Sequence, residues 1–225
     1  LIESYGRSPV LQQRHNLVLV LGCREDSRIL EKQQKEVFQQ IFELVDKYNL
    51  YGKVAYPKHH KRGQIPAIYR WAMNRKGLFV NPALTEPFGL TLLEAAACGL
   101  PMVATDDGGP RDILSKCRNG VLVDVTDLES MQDVLEKAGS NSSQWKSWSI
   151  NGVDAVVRHF SWDAHVCNYI ALMQKQLKTF KPLGWKLGSP KDKSRIGGKL
   201  LVLDLDSNLE QSKPKALSNL RKHFT

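Results

Sequence analysis

Apolar and polar positions fall along this chain in blocks whose period switches between that of a strand and that of a helix. Residues 17–22 open with the unbroken run Leu17-Val-Leu-Val-Leu21, the pattern of a strand covered on both faces. Between residues 29 and 49, Val37, Ile41, Leu44 and Val45 recur at helical spacing among Glu, Lys and Gln, which predicts an amphipathic helix with one exposed face. Four more strands are predicted over 52–56, 77–80, 101–105 and 121–124. Helices are predicted over 65–75, 90–98, 111–116, 126–137, 142–159 and 162–177, and a short helical piece over 1–14. The punctuation agrees. Pro57 closes the second strand, Pro110 suits a first helical turn, Asn119-Gly120 marks a turn, and Thr126 or Asp127 can cap the helix that follows. Strands alternating with helices predict an α/β fold, a Rossmann-like parallel sheet with helices on both faces.

The stretch 81–105 organises the rest. It reads as a strand end, a polar turn, a helix, a glycine stop and a second strand. Between Glu86 and Asp106 the one charged side chain is Glu94. On a helix, Leu90, Leu93 and Ala97 share one face while Leu92, Ala95 and Ala96 cover the others, which predicts a helix apolar nearly all round and sandwiched between other elements. A lone carboxylate there costs several kcal/mol unless it is paired or hydrogen-bonded. Two acids at the mouth of a strand-to-helix turn suit a ligand rich in hydroxyls. The structural alternative makes Glu86 a cap residue and Glu94 a satisfied core acid.

Composition narrows the classes. An apolar share of 42% supports a packed core, and no run reaches the roughly 18 apolar residues of a membrane helix. The chain opens on Leu1 rather than Met, so a natural N-terminus is expected to be missing, and no signal peptide is seen. Cys23, Cys98, Cys117 and Cys167 are scattered, which argues against zinc and disulfides and for a reducing, cytoplasmic compartment. The net charge of +9 suggests nucleic-acid binding until it is mapped: seven of those charges come from the Gly/Pro/Lys-rich stretch 175–199, the pattern of a solvated linker. Neither a nucleic acid nor a membrane is expected as a partner.

In open parallel sheets, ligands bind outside the carboxyl ends of the strands. Here that edge is lined by 56–63, 81–89 and 105–109. The backbone N–H groups of Gly89 and Leu90 open the helix, and such a tip suits a diphosphate.

Glu86-Pro-Phe-Gly-Leu-Thr-Leu-Leu-Glu94 resembles the E-x7-E motif of retaining nucleotide-sugar glycosyltransferases with two Rossmann-like domains, the GT-B fold. Tyr51-Gly-Lys-Val-Ala-Tyr-Pro-Lys-His-His60, Asn81-Pro-Ala83 and Gly99-Leu-Pro-Met-Val-Ala-Thr-Asp-Asp-Gly-Gly-Pro110 are similar to plant-type sucrose-phosphate synthases. The resemblance covers about residues 1–177 and implies the donor half of a GT-B enzyme that transfers glucose from UDP-glucose to fructose 6-phosphate, with retention, to give sucrose 6-phosphate. It implies that Glu86, the catalytic candidate, holds hydroxyls of the glucose and that Glu94 holds the ribose. Phe88, Gly89, Leu90 and Thr91 would cradle diphosphate and sugar, while Tyr56, Pro57 and Lys58 would meet the uracil. It implies no metal and no cofactor, and association with a sucrose-phosphate phosphatase. His59, His60 and Arg111 are further loop candidates.

The same resemblance places the basic pair that neutralises the diphosphate, and the acceptor domain with its histidine, before Leu1. The 225 residues alone are therefore expected not to turn over. Sucrose synthase, another retaining UDP-sugar glycosyltransferase and an inactive regulatory paralogue remain open alternatives. After a basic linker over 178–199, Lys199-Leu-Leu-Val-Leu-Asp204-Leu-Asp206 resembles the opening of a haloacid-dehalogenase (HAD)-type phosphatase domain, incomplete over 200–225. Mg2+ would be bound only by a complete domain of that type, and Asn208 stands where its threonine is expected.

Overall fold

A computed structural model describes residues 1–22 and 30–179. Two short helices, α1 (Ile2–Arg7) and α2 (Pro9–Arg14), lead into β1 (Leu17–Val18). There follow α3 (Lys32–Lys47), β2 (Val54–Ala55), α4 (Ile65–Asn74), β3 (Phe79–Asn81), α5 (Leu90–Ala97), β4 (Met102–Thr105) and α6 (Gly109–Cys117). The remainder is β5 (Gly120–Val123), α7 (Leu128–Ala138), α8 (Ser142–Ala155), a π-helical turn at Val156–Phe160 and α9 (Trp162–Thr179). The linker expected over 178–199 and the phosphatase-like start expected over 200–225 lie, from residue 180 on, outside the described residues.

Caps set several of these boundaries. Asp127 accepts hydrogen bonds from the N–H groups of Glu129 (3.0 Å) and Ser130 (3.1 Å) at the start of α7. Thr126, the other candidate for that cap, donates instead to Asp124. Asn141 caps α8 in the same way as Asp127 caps α7.

All the strand pairings are parallel, with β4 central between β3 and β5. Its four residues are buried throughout. Alternation divides them between two cores: Val103 packs with Leu50, Met131 and Leu135, whereas Met102 and Ala104 pack with Leu92, Ile113 and Leu114. Helices therefore cover both faces of this sheet, as its apolar run requires.

Two expectations need correction. The strands do not form one continuous sheet: β1 pairs with β2, and β3–β4–β5 form a second sheet. Leu17–Leu19 and Leu78–Val80 both line one cleft of about 1080 Å³. Alternate backbone groups in a parallel ladder face one neighbour, and the N–H groups of Leu17, Leu19 and Phe79 are used towards β2 and β4. Those of Val18 and Val80 meet no partner among the described residues. Nor is α5 apolar all round in its surroundings. Leu92, Ala95 and Ala96 are buried, but Leu90 is 65% exposed and Thr91, Glu94 and Ala97 are exposed as well. α5 lies between β3, β4, α4, α6, α8 and the π-helical turn, and its Thr91 and Glu94 side opens to the cleft.

The α2–β1 junction carries a titratable core contact. His15 packs against Gly139, where an added Cβ would sit 2.5 Å from Nε2, and that nitrogen has no hydrogen-bond partner. Burial, with Arg14 as a second cause, holds the His15 pKa below its ordinary 6.5. As pH falls, the unfolded chain therefore takes up this proton first. The stabilisation is complete above about pH 6.5 and is lost as pH falls through the lower folded value. Urea midpoints should drop between pH 7.5 and 5.5, and His15→Gln should flatten that slope. Glu136, held below its ordinary 4.5 chiefly by the Ser8 hydroxyl at 2.6 Å, acts in a separate, more acidic window.

Candidate functional site

The carboxyl ends of β3 and β4 bring together the loop over 82–89 and the start of α6. The Gly109 N–H donates to the Glu86 carbonyl at 2.8 Å, and Glu86 and Gly108 form a one-residue parallel bridge. This close approach needs glycine. A Cβ on Gly108 would overlap the Glu86 carbonyl oxygen, and one on Gly109 would overlap that of Phe88. Gly108 also sits at φ +69°. From the sequence, 106–110 reads only as the loop after a strand; the Gly108-Gly109-Pro110 run was the signal for a backbone contact.

Glu86 is half-buried. Its Oε2 accepts from Asn81 Nδ2 at 3.1 Å, and its Oε1 accepts from the Phe88 N–H at 3.4 Å. Gly89, at φ +95°, turns the chain into α5. The N–H groups of Gly89, Leu90 and Thr91 meet no acceptor among the described residues. They lie at the positive end of the helix dipole. Phe88 (55% exposed) and Leu90 form an apolar lip beside them.

Glu94 lies a little over one turn further along α5. It lines the 1080 Å³ cleft with Thr91, Asn81, Pro82 and His60, and its carboxylate makes no hydrogen bond or ion pair among the described residues. The internal ion pair that would have excluded a binding role is not formed. Its charge is felt in the cleft wall: the Tyr69 pKa is pushed up to about 12, first by burial and then by Glu94, and burial with a smaller Glu94 contribution raises that of Cys98. Glu86 itself is not part of this cleft's lining; Asn81, which bonds to it, is.

The loop after β2 forms the rim of a second hollow of about 520 Å³, lined by Pro57, His59 and Gln64 among others. Val18, His60, Ile68 and Trp71 wall both spaces, so the two hollows adjoin. Pro57 therefore lies beside the continuation of the Glu94 cleft. The Tyr56 ring leans on Phe38, 6.1 Å between centroids, and Lys58 is exposed. Arg111 is engaged elsewhere: Nε meets Asp106 Oδ1 at 2.7 Å and Nη2 meets the Asp106 carbonyl at 2.6 Å. Among the described residues no three His, Cys, Asp or Glu side chains gather as metal ligands. No helix there is long and apolar enough to cross a membrane.

Comparison with known proteins follows the same lines. Residues 1–154 match the family model "Glycosyl transferases group 1". Sucrose-phosphate synthase 4 of Arabidopsis thaliana is 47% identical over 171 residues, which is 76% of this chain and 16% of that protein. The chain thus spans about a sixth of the length of such relatives. Among solved structures, the sucrose-phosphate synthase of Thermosynechococcus elongatus superposes with a TM-score of 0.61 at 25% identity, covering 80% of this chain and 43% of that one. The fold also matches that of Anabaena HepE in complex with UDP-glucose, with a TM-score of 0.55 at 16% identity over 80% of this chain and 44% of the other.

The glycine pair should be intolerant. Gly109→Ala is expected to lower unfolding free energy by about 2 kcal/mol or more, because the new Cβ meets backbone rather than a flexible side chain. Gly63→Ala, where nothing lies within 4 Å of the added atom, should stay within about 0.5 kcal/mol of the parent. Urea denaturation of both variants makes the comparison.

Proposed function

This chain belongs to the group 1 glycosyl transferases, and from that premise we propose that it is the donor-binding part of a retaining glucosyltransferase making sucrose 6-phosphate from UDP-glucose and fructose 6-phosphate. The observation that carries the reading is Glu94, an unpaired, exposed acid in a large cleft, little more than one helical turn from three unpaired amides. Acid and amides together match a ribose joined to a diphosphate. The likeness to a fold solved with UDP-glucose supports the choice of donor, and the sucrose-phosphate synthase relatives support the choice of acceptor.

In this reading the amides of Gly89, Leu90 and Thr91 receive the diphosphate at the tip of α5. Glu94 accepts hydrogen bonds from the ribose hydroxyls. The hollow beside Pro57 takes the uracil, with Tyr56 and Lys58 at its rim. Glu86, already held by Asn81 and the Phe88 N–H, accepts from hydroxyls of the glucose. Phe88 and Leu90 shield the sugar from water.

The reaction breaks the bond between the anomeric carbon and the diphosphate oxygen. The acceptor hydroxyl then forms its bond on the same face and releases its proton. Charge accumulates on the departing UDP, so donors fixed beforehand at the diphosphate lower the barrier more than contacts to the neutral sugar do. Backbone amides on a helix tip meet that requirement without reorganising. The residues assigned here all serve the donor, and none is assigned to the acceptor. No metal or cofactor enters the reading. Unbridged thiols at Cys98, Cys117 and Cys167 are in keeping with a reducing, cytoplasmic setting.

Calorimetry tests it. UDP and UDP-glucose should both give heat, and Glu94→Ala should weaken both roughly tenfold or more, the loss expected when a charged hydrogen-bond partner is removed. Glu86→Gln should weaken UDP-glucose while sparing UDP. Absence of heat from UDP at millimolar concentration would overturn the reading.

A further inference from the structure

Asn81 is the last residue of β3 and is only 8% exposed. Both ends of its side chain are used. Its Oδ1 accepts from the Ala83 N–H at 3.0 Å, and its Nδ2 donates to Glu86 Oε2 at 3.1 Å. The first bond fixes the orientation of the amide, because a backbone N–H requires an acceptor and so turns the NH2 end towards Glu86. The side chain also lines the cleft that contains Glu94.

We infer that Asn81 is a positioning residue: its neutral amide holds the Glu86 carboxylate in the one orientation from which it meets the hexose of the donor. The inference rests on the UDP-glucose reading above. A neutral donor suits this place for a definite reason. It directs one carboxylate oxygen without adding charge, whereas an acid in the same place would repel Glu86 and a lysine would neutralise it. The competing explanation is structural, with Asn81 serving only to shape the turn to Ala83 through Oδ1.

Asn81→Asp separates the two roles. It keeps an acceptor for the Ala83 N–H but replaces the donor to Glu86 with a second carboxylate. Two carboxylates about 3 Å apart do not both ionise freely, and as pH falls they share a proton that restores a hydrogen bond between them. Calorimetry should therefore show the preference for UDP-glucose over UDP reduced roughly tenfold at pH 7.5 and largely recovered at pH 5. UDP alone should lose far less affinity in the variant than UDP-glucose does at pH 7.5.

A second readout needs no ligand. Carbon-13 NMR of the Glu carboxyl groups, with Glu86 assigned from its loss in Glu86→Gln, should show a two-step titration in Asn81→Asp and a single step in the parent. A variant whose UDP-glucose preference equals the parent's at both pH values would overturn the inference, as would a single-step titration. If the parent binds neither UDP nor UDP-glucose, the donor reading fails and the role towards the hexose falls with it. The NMR titration would then report only whether the two side chains are coupled.

Discussion

Burial of β4 on both faces is the constraint on which the site depends. Val103 on one side and Met102 and Ala104 on the other are fully enclosed, and the one polar side chain of the strand, Thr105, is its last. An unpaired polar group there would cost several kcal/mol. Polar chemistry is displaced to the carboxyl end, where Thr105 gives way to Asp106 and the glycine pair. The same enclosure fixes where α5 and α6 lie, because both pack on that strand. Gly108 and Gly109 then let the loop over 82–89 lie directly against the start of α6.

Much of this was legible in the residues. The run at 101–105 pointed to a strand, the alternation of strands with helices pointed to a parallel sheet covered on both faces, and the spacing of Glu86 and Glu94 around a helix start pointed to the turn between them. A capping rule narrowed the start of α7 to Thr126 or Asp127, and Asp127 forms the cap. Three things were not legible, each for a physical reason. The exposure of Leu90 was hidden because an apolar residue at a helix tip looks the same whether it meets a core or an open cleft. The break between β1 and β3 was hidden because the apolar pattern marks strands without naming their neighbours. The contact of Asn81 with Glu86 was hidden because four residues of loop separate them and only the path of the backbone brings their side chains to 3.1 Å.

On the proposed reading, formal charge says little about where an anion would bind. Arg111 is the basic side chain closest in sequence to the glycine pair, and Asp106 already engages it. The surplus of positive charge lies between residues 175 and 199, far along the chain from the turn. What the α5 tip offers is uncharged: three backbone N–H groups and the dipole behind them. Fixed partial charges of this kind are not removed by a neighbouring carboxylate in the way that a lysine or arginine is by pairing. Two acids can therefore stand near the tip without neutralising it.

The attachment of Glu86 at two points has a consequence for how affinity is to be understood. Its carbonyl is fastened to the first turn of α6 and its carboxylate to the last residue of β3. The rotamer and backbone freedom that a lone loop acid would surrender on meeting a ligand has already been surrendered during folding. Whatever a ligand adds to binding at this acid is thus a measure of direct contact, undiluted by the entropy of organising a floppy arm.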